Sequence, residues 1–401
     1  MQQGKTHSRR GWASLGLATL AACGSVNKAP DGGAGGDSGG TIDGGGAIDG
    51  GGGATCGDGR RDPGEVCFGP TTSVIGTDVT YDGQLADFDA DGDLDLVYLI
   101  GDQLVGHPLA AGQFAPTALS GQTVVGVALL ARDLNGDNRA DYVVAGPDNT
   151  RVLRQEVGFA QTIVGDSGAT FQPFGVYLGD VDGNGRDDVV VGGVRTLRVL
   201  NLGTDLALTS QRSEFIQPTV AMAVGRLDDD NRSDVVTAGP GGLQLFSPNV
   251  GTTFTFLTSP VTTATDGVSI AQVDGEGAND LLYVQVGAAI AGVARGAGAG
   301  AFLAPQPKPV DGVTAAMAAT DHDGDGRADL LVVVATQPGG QPALAVLLGQ
   351  ADGSLADPVF VPLPQLADRV IVGGDVNGDG GPDVVATHIN TQTVTVIPTA
   401  F

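Results

Sequence analysis

DFDADGDLD occupies residues 87–95, and the run LVYLI at 96–100 follows it directly. Aspartate at every second place, with Gly at the sixth, marks a tight turn, whereas the aliphatic and aromatic run after it has the composition of a buried strand. The pair recurs along the chain. Asp133 opens DLNGDNRAD, Asp180 opens DVDGNGRDD, Arg226 opens RLDDDNRSD, Gln272 opens QVDGEGAND, Asp321 opens DHDGDGRAD and Asp375 opens DVNGDGGPD. Successive starts lie 46, 47, 46, 46, 49 and 54 residues apart, so seven units fill the 334 residues of 68–401 and leave no room for another domain.

Composition agrees with an all-β repeat array. The chain holds 66 Gly and 21 Pro with only 5% aromatic residues, which describes many turns and short strands and excludes a helical bundle. Lys and Arg number 20 against 46 Asp and Glu, a net charge of −26 whose field repels nucleic acid and anionic membrane surfaces. With 41% hydrophobic residues the chain is not a disordered polyanion.

The seven nonapeptides contain 26 of the 46 acidic residues. Carboxylates crowded into tight turns repel one another unless a cation compensates them, and calcium, which accepts six to eight hard oxygen ligands, suits such a turn. In DxDxDGxxD the side chains at positions 1, 3, 5 and 9 are expected to converge, with position 7 offering its backbone carbonyl. Position 6 needs positive φ, which Gly or Asn (Asn138, Asn231) tolerates. The expected ligands are Asp87, Asp89, Asp91, Asp93 and Asp95 in turn one, then Asp133, Asn135, Asp137, Arg139 and Asp141 in turn two. Turn three offers Asp180, Asp182, Asn184, Arg186 and Asp188, and turn six Asp321, Asp323, Asp325, Arg327 and Asp329. Turn seven offers Asp375, Asn377, Asp379, Gly381 and Asp383. About five calcium ions are therefore expected. In 226–234 Arg226 stands at position 1, where its guanidinium could pair with Asp228, Asp230 or Asp234 and replace the ion. In 272–280 Gln272 and the longer Glu276 leave occupancy open.

An EF-hand begins with similar ligands but requires Glu at position 12 and flanking helices. Position 12 here is Tyr98, Val144, Val191, Val332 or Ala386, none of which chelates, and strand-like runs such as DYVVAG, DVVVGG and DLLVVV follow the turns. Apolar runs such as VGVALLA precede them, so each turn joins two antiparallel strands.

These units resemble FG-GAP or VCBS repeats, the blades of integrin-α-type propellers, over the whole of 68–401. The resemblance implies a seven-bladed β-propeller, with four antiparallel strands per blade and calcium in the turn between the first and second. After Asp383 only DVVATH and TVTVIP remain as strand-like runs, so the last blade lacks a fourth strand, which Phe68 to Ile75 is expected to supply. Phe68, Phe114 and Phe302 each lie nineteen residues before a turn and are expected on outer strands.

Residues 1–22 read as an export signal: Lys5, His7, Arg9 and Arg10 precede a short apolar stretch ending in small residues, with a weak twin-arginine hint. Leu20-Ala21-Ala22-Cys23 resembles a lipobox, which implies lipidation of Cys23; an ordinary signal with a chance Cys is the alternative. Residues 23–55, Gly broken by Ala, Asp, Ser and Thr, form a flexible tether of about 30 Å mean span. In the oxidising compartment that export implies, Cys56 and Cys67 are expected to form a disulfide closing 56–67, a metal clip being the alternative. That segment resembles the opening of short Cys-rich repeats of exported myxobacterial proteins. Gly24 after the lipobox points to the outer membrane, periplasmic or surface-exposed.

No GxSxG, HExxH or phosphate-binding Gly-rich loop is present, and His107, His322 and His388 lack His or Cys partners at ligand spacing, with His322 expected to face solvent. Segments 287–300 and 336–342 read as surface loops or a contact surface. The expectation is a non-enzymatic binding or adhesion module for a protein or glycan, the alternative an exported propeller lyase or hydrolase with an axial active site.

Overall fold

The computed structural model describes residue 56 and residues 61–400, except 62, 76–79, 111–112, 116–118, 168–171, 250–252, 276, 338–339, 378–380 and 389–392. The expected signal, Cys23 and the tether lie outside the described residues, as do Glu276, Asp379 and most of the 388–392 connection.

Seven four-stranded antiparallel sheets are present, and the second strand of each is buried along its length. A blade packs against neighbours on both faces, so its second strand reads as a continuous apolar run instead of an alternating one. Blade three illustrates the unit: Pro173–Gly179, Asp188–Gly193, Thr196–Leu202 and Leu208–Phe215 pair in that order. Its outermost strand, LTSQRSEF, is mostly exposed and polar because nothing packs beyond it. The core lies between blades. Leu99 and Val97 of blade one meet Leu129, Tyr142 and Val144 of blade two, each buried side chain contributing about 1.5–3 kcal/mol.

The first strands form the inner ring, each touching the next, from Thr80–Ala86 round to Arg369–Gly374 and back to Thr80–Ala86. Closure uses the start of the domain. Thr72–Ile75 pairs antiparallel with Thr393–Ile397 as the fourth strand of blade seven, and Phe68 bridges Thr399. One end of each blade is thereby paired without leaving an open edge across the junction.

Two expectations fail. Phe114 lies in the hairpin of Leu109–Ala110 with Gln113–Phe114, and Phe302 in that of Gly296–Gly298 with Ala301–Phe302, while the outer strands follow at Leu119–Thr123 and Gln306–Pro309. Phe68 likewise precedes its strand, in the single bridge to Thr399. These rings face the interior at the blade's rim: Phe114 packs among Leu96, Tyr98 and Leu109. Nor is 287–300 a loop, since Ile290–Ala294 is the third strand of blade five. Its Ala and Gly content hides the strand because the small side chains fit beneath Tyr283, whose ring a Cβ at Gly292 would strike at 2.5 Å.

Near the axis, Asp82 of the first blade pairs with Arg369 of the seventh, both almost wholly buried. The Asp82 carboxylate also accepts N–H bonds from Gly83 at 2.8 Å and from Leu129 of blade two at 2.8 Å. One side chain thus ties three blades across the closure.

Candidate metal centre

Each turn is a cascade of side-chain caps on its own backbone. In turn three, Asp180 accepts N–H bonds from Gly183, Asn184 and Gly185 at 2.7–2.9 Å; Asp182 accepts one from Asn184 at 3.0 Å, and Asn184 one from Arg186 at 2.9 Å. Asp133 and Asp321 repeat the first element, Asp91 and Asp325 the last. Alternating Asp and Asn is what such a fold of the backbone needs, because each short side chain caps an amide two to five residues on. Positive φ occurs at position 6, as expected, and also at position 4: Gly183 and Gly185 have φ 78° and 83°, and Ala90 and Asn138 are forced to 66° and 64°. Asn231 is not among the positive-φ residues; turn four does not take this conformation.

Three turns gather three carboxylates with an oxygen from each within 4.8 Å of the others: Asp87, Asp89 and Asp95; Asp180, Asp182 and Asp188; Asp321, Asp323 and Asp325. Turn two uses Asn135 at position 3, and its Nδ2 donates to Asp137 at 3.1 Å. In turn seven, Asn377 donates to the Thr399 carbonyl at 3.1 Å, and the expected ligand Asp379 lies outside the described residues. An all-oxygen, acid-rich donor set fits calcium. Asp87, Asp89 and Asp95, the matching Asp180, Asp182 and Asp188, or Asp321, Asp323 and Asp325 would hold the ion, which would add positive charge; in turn six Arg327 already meets Asp325 and Arg61 lies 3.6 Å from Asp321.

Position 9 departs from a simple ligand. Its Oδ2 accepts the N–H of position 2 in every unit: Asp95 from Phe88, Asp141 from Leu134, Asp188 from Val181, Asp234 from Leu227, Asp280 from Val273, Asp329 from His322 and Asp383 from Val376, at 2.6–3.2 Å. Its Oδ1 reaches the end of the third strand, at Gln155, or the residue two beyond it, and accepts the N–H of Leu109, Gln155, Gly296, Gly349 or Thr399. In blade three the Asn201 amide substitutes, at 2.8 Å. In blade four the equivalent residue is Pro248, which has no N–H, and Asp234 Oδ1 is buried without a hydrogen-bond partner. Position 9 is therefore first a staple between turn and sheet, and only in turns one and three does it also join the triad. Burial pushes Asp95, Asp141, Asp188 and Asp234 up to about 6 and Asp329 to about 7, and raises Asp280 and Asp383.

Turns four and five open without a carboxylate, and the position 7 to position 5 ion pair of turn four recurs in turn six between Arg327 and Asp325. Arg226 does not pair with its own turn as expected; it is exposed, and Arg232 at position 7 binds Asp230 at 3.1 Å instead. A guanidinium at position 1 is too long for the turn's centre, whereas from position 7 it lies along the rim and over Gly183 of turn three. In turn five Gln272 Nε2 donates to the carbonyls of Gly277 and Ala278, both at 3.2 Å, so an amide takes up the position 7 oxygen.

The chain's own N-terminal segment covers turn six. Cys56 and Cys67 are joined in a disulfide with Cα atoms 5.5 Å apart. From that closed segment Arg61 donates to the carbonyls of His322, at 2.7 Å, and Asp321, and Gly64 N–H donates to Asp323 at 2.6 Å. His322 is not solvent-facing: it is fully buried and stacked on Phe68 with ring centroids 4.7 Å apart. Burial, with Arg61 alongside, pushes its imidazole down to about 3. His107 bonds Tyr98 and the Ala115 carbonyl, and His388 bonds Thr395 and the Leu366 carbonyl, so all three histidines are packing residues.

The FG-GAP-like repeat family matches residues 133–191 and 321–386, two stretches that each begin at position 1 of a turn and run through the next turn into the strand after it. The turns that open at Asp87, Arg226 and Gln272 lie outside these stretches, but each joins the first two strands of a four-stranded sheet of the same order. The chain carries FG-GAP-like repeats on a seven-bladed β-propeller. No curated protein matches the sequence. Among solved structures the propeller is similar to an Agrocybe aegerita lectin described as recognising non-reducing terminal N-acetylglucosamine. The two are 18% identical, with a TM-score of 0.54, covering 80% of this chain and 86% of that one. It is also similar to BBS1N crystallised with ARL6DN and soaked with mercury, at 12% identity and a TM-score of 0.57, covering 82% and 96%. At such identities the likeness is one of fold.

Proposed function

We infer that this propeller, with its FG-GAP-like repeats and acidic clusters compatible with calcium, is a binding or adhesion-type module. We propose that this propeller is a non-enzymatic, calcium-stiffened binding module, exported and held at the outer membrane by a lipid on Cys23, with a protein or glycan as its ligand. The observation that carries this reading is the separation of charge from the axis. The carboxylate triads sit at the turns of one face, while the ionisable pair beside the axis, Asp82 with Arg369, is buried and mutually bonded and offers nothing to a substrate. The face opposite the turns exposes Val125, Phe215, Val286 and Leu366 at strand ends and connections, with Phe215 93% exposed, and suits a protein partner. Calcium would then act on binding through rigidity.

Pull-down from envelope extract, with and without chelator, tests the module. Recovery of a discrete partner that is lost on chelation and restored by calcium is expected; hydrolase or lyase activity of the purified chain, with no retained ligand, would overturn the reading. Cys23→Ser tests the anchor separately and should release a folded protein from the membrane fraction.

A further inference from the structure

Between turns four and five the metal face opens into a cleft of about 740 Å3, lined by Arg226, Asp228, Asp229, Asp274, Asn279 and Arg295 among others. Its walls are fixed. Asn279 Nδ2 donates to the Arg226 carbonyl at 2.9 Å, and Gly300 N–H donates to the Leu227 carbonyl at 3.1 Å, so the hairpin of blade five is fastened to turn four. Most of the charge inside is already engaged. Arg295 holds Asp274 at 2.7 Å and the Asp352 carbonyl at 3.1 Å, and Asp228 accepts from Ser247 at 2.8 Å and from the Asp230 N–H at 3.0 Å.

Arg226 and Asp229 remain. Both are exposed, and neither side chain bonds a described residue. Arg226 occupies the position where five of the other six turns open with a carboxylate, and it turns its guanidinium out instead of pairing within the turn. A solvent-facing guanidinium in a chain of net charge −26 is a local exception to a repulsive field, and it selects an anionic group, with bidentate geometry favouring a carboxylate. Asp229 beside it accepts hydroxyl protons. Leu227, Ala278 and Ala297 are the apolar lining and no aromatic ring is among the lining residues, so neither an aromatic nor an aliphatic side chain would find a pocket there. Main-chain groups at Gly277, Gly296 and Gly298 add further hydrogen-bonding positions that side chains do not screen.

We propose that this cleft binds an acidic saccharide, a uronate-type sugar whose carboxylate meets Arg226 and whose hydroxyls meet Asp229. The proposal rests on the binding-module reading and names a ligand class for a second face of it. Calorimetric titration of the full chain at fixed calcium with trigalacturonate, maltotriose and hexaglutamate tests it. Trigalacturonate should bind at least about tenfold more tightly than either of the others, the scale of one charge-assisted contact. Arg226→Gln should erase that preference, Arg226→Lys should keep part of it, and Asp229→Asn should weaken trigalacturonate and maltotriose alike. Since both side chains are exposed and bond none of the described residues, the melting temperature should not move in any variant. Equal binding of trigalacturonate and maltotriose, equal binding of hexaglutamate, affinity indifferent to Arg226→Gln, or no binding at all would overturn the proposal. If the envelope pull-down still yields a calcium-dependent partner in that case, the module stands and only the saccharide cleft falls.

Discussion

Turns three and five occupy equivalent places in adjacent halves of the ring and satisfy the same backbone in opposite ways. Turn three gathers Asp180, Asp182 and Asp188 into a cluster that could hold a cation. Turn five places Gln272 at the first position, and its amide nitrogen donates to the carbonyls of Gly277 and Ala278. One residue decides between an ion site and a self-contained turn, because position 1 is the side chain around which the others are arranged. The propeller therefore combines turns whose carboxylates could hold a metal with a turn closed by its own amide, and the two kinds can be separated experimentally.

Chelation should separate them most strongly. A metal that binds the native turn and not the unfolded chain stabilises by mass action, so stripping calcium should lower the melting temperature by about 10 °C or more, with recovery across about 10⁻⁴–10⁻³ M calcium. Hydrogen exchange should quicken in turns one, three and six and change little in turns four and five; a uniform response around the ring would break the comparison.

Position 9 should sharpen it. Asp329→Asn sets an amide against the N–H of His322 or Gly349 inside the sheet and should cost about 2–3 kcal/mol. Asp234→Asn should cost under about 1 kcal/mol, since Asp234 Oδ1 has no hydrogen-bond partner among the described residues and Asn can turn its amide there. Denaturant titration of both variants in chelator gives the difference directly, and equal costs would remove position 9 from its stapling role.

A smaller effect should appear with pH. In the metal-free protein burial raises Asp95, Asp141, Asp188 and Asp234 from 3.8 to about 6 and Asp329 to about 7, so the native state holds more protons than the unfolded chain between those values. The contribution is full below about pH 4 and is lost as pH rises through the folded values near 6 to 7. Melting temperature in chelator should thus fall from pH 5 to 7.5, and calcium, which competes with those protons, should flatten or reverse the slope. A chelated protein whose stability rises over that window would contradict the burial of these carboxylates.

The least effect is expected from Pro248→Ala, which supplies the missing N–H to Asp234. Where the strand keeps its course, turn four should gain about 1 kcal/mol. A loss instead would mean that the fixed φ of Pro248 matters more than the donor it lacks.

Much of this was legible beforehand. The turn spacing, the buried second strands and the closing strand at Thr72–Ile75 all follow from local pattern, since a repeat presents the same reading seven times. Positive φ at position 4 could also have been read from Gly136, Gly183, Gly275 and Gly324, but Ala90 in the first turn obscured it. Pro248 was visible as well, yet its meaning needed the register that sets it beside Asp234. The rims were misread because a Phe before a strand and a Phe within one have the same spacing.

By itself the sequence determined the seven units, their turn-forming acids, the strands between them and the disulfide that closes 56–67. Those features are set by neighbours along the chain, where side-chain caps and apolar runs act over a few residues. Only the tertiary structure decided that Asp82 meets Arg369 from 287 residues away, that Arg61 reaches turn six across 261, and that His322 is buried beneath Phe68. It also decided that Arg226 faces an open cleft. No local pattern encodes such contacts, because they arise when the ring closes and brings distant side chains into one dry or crowded place.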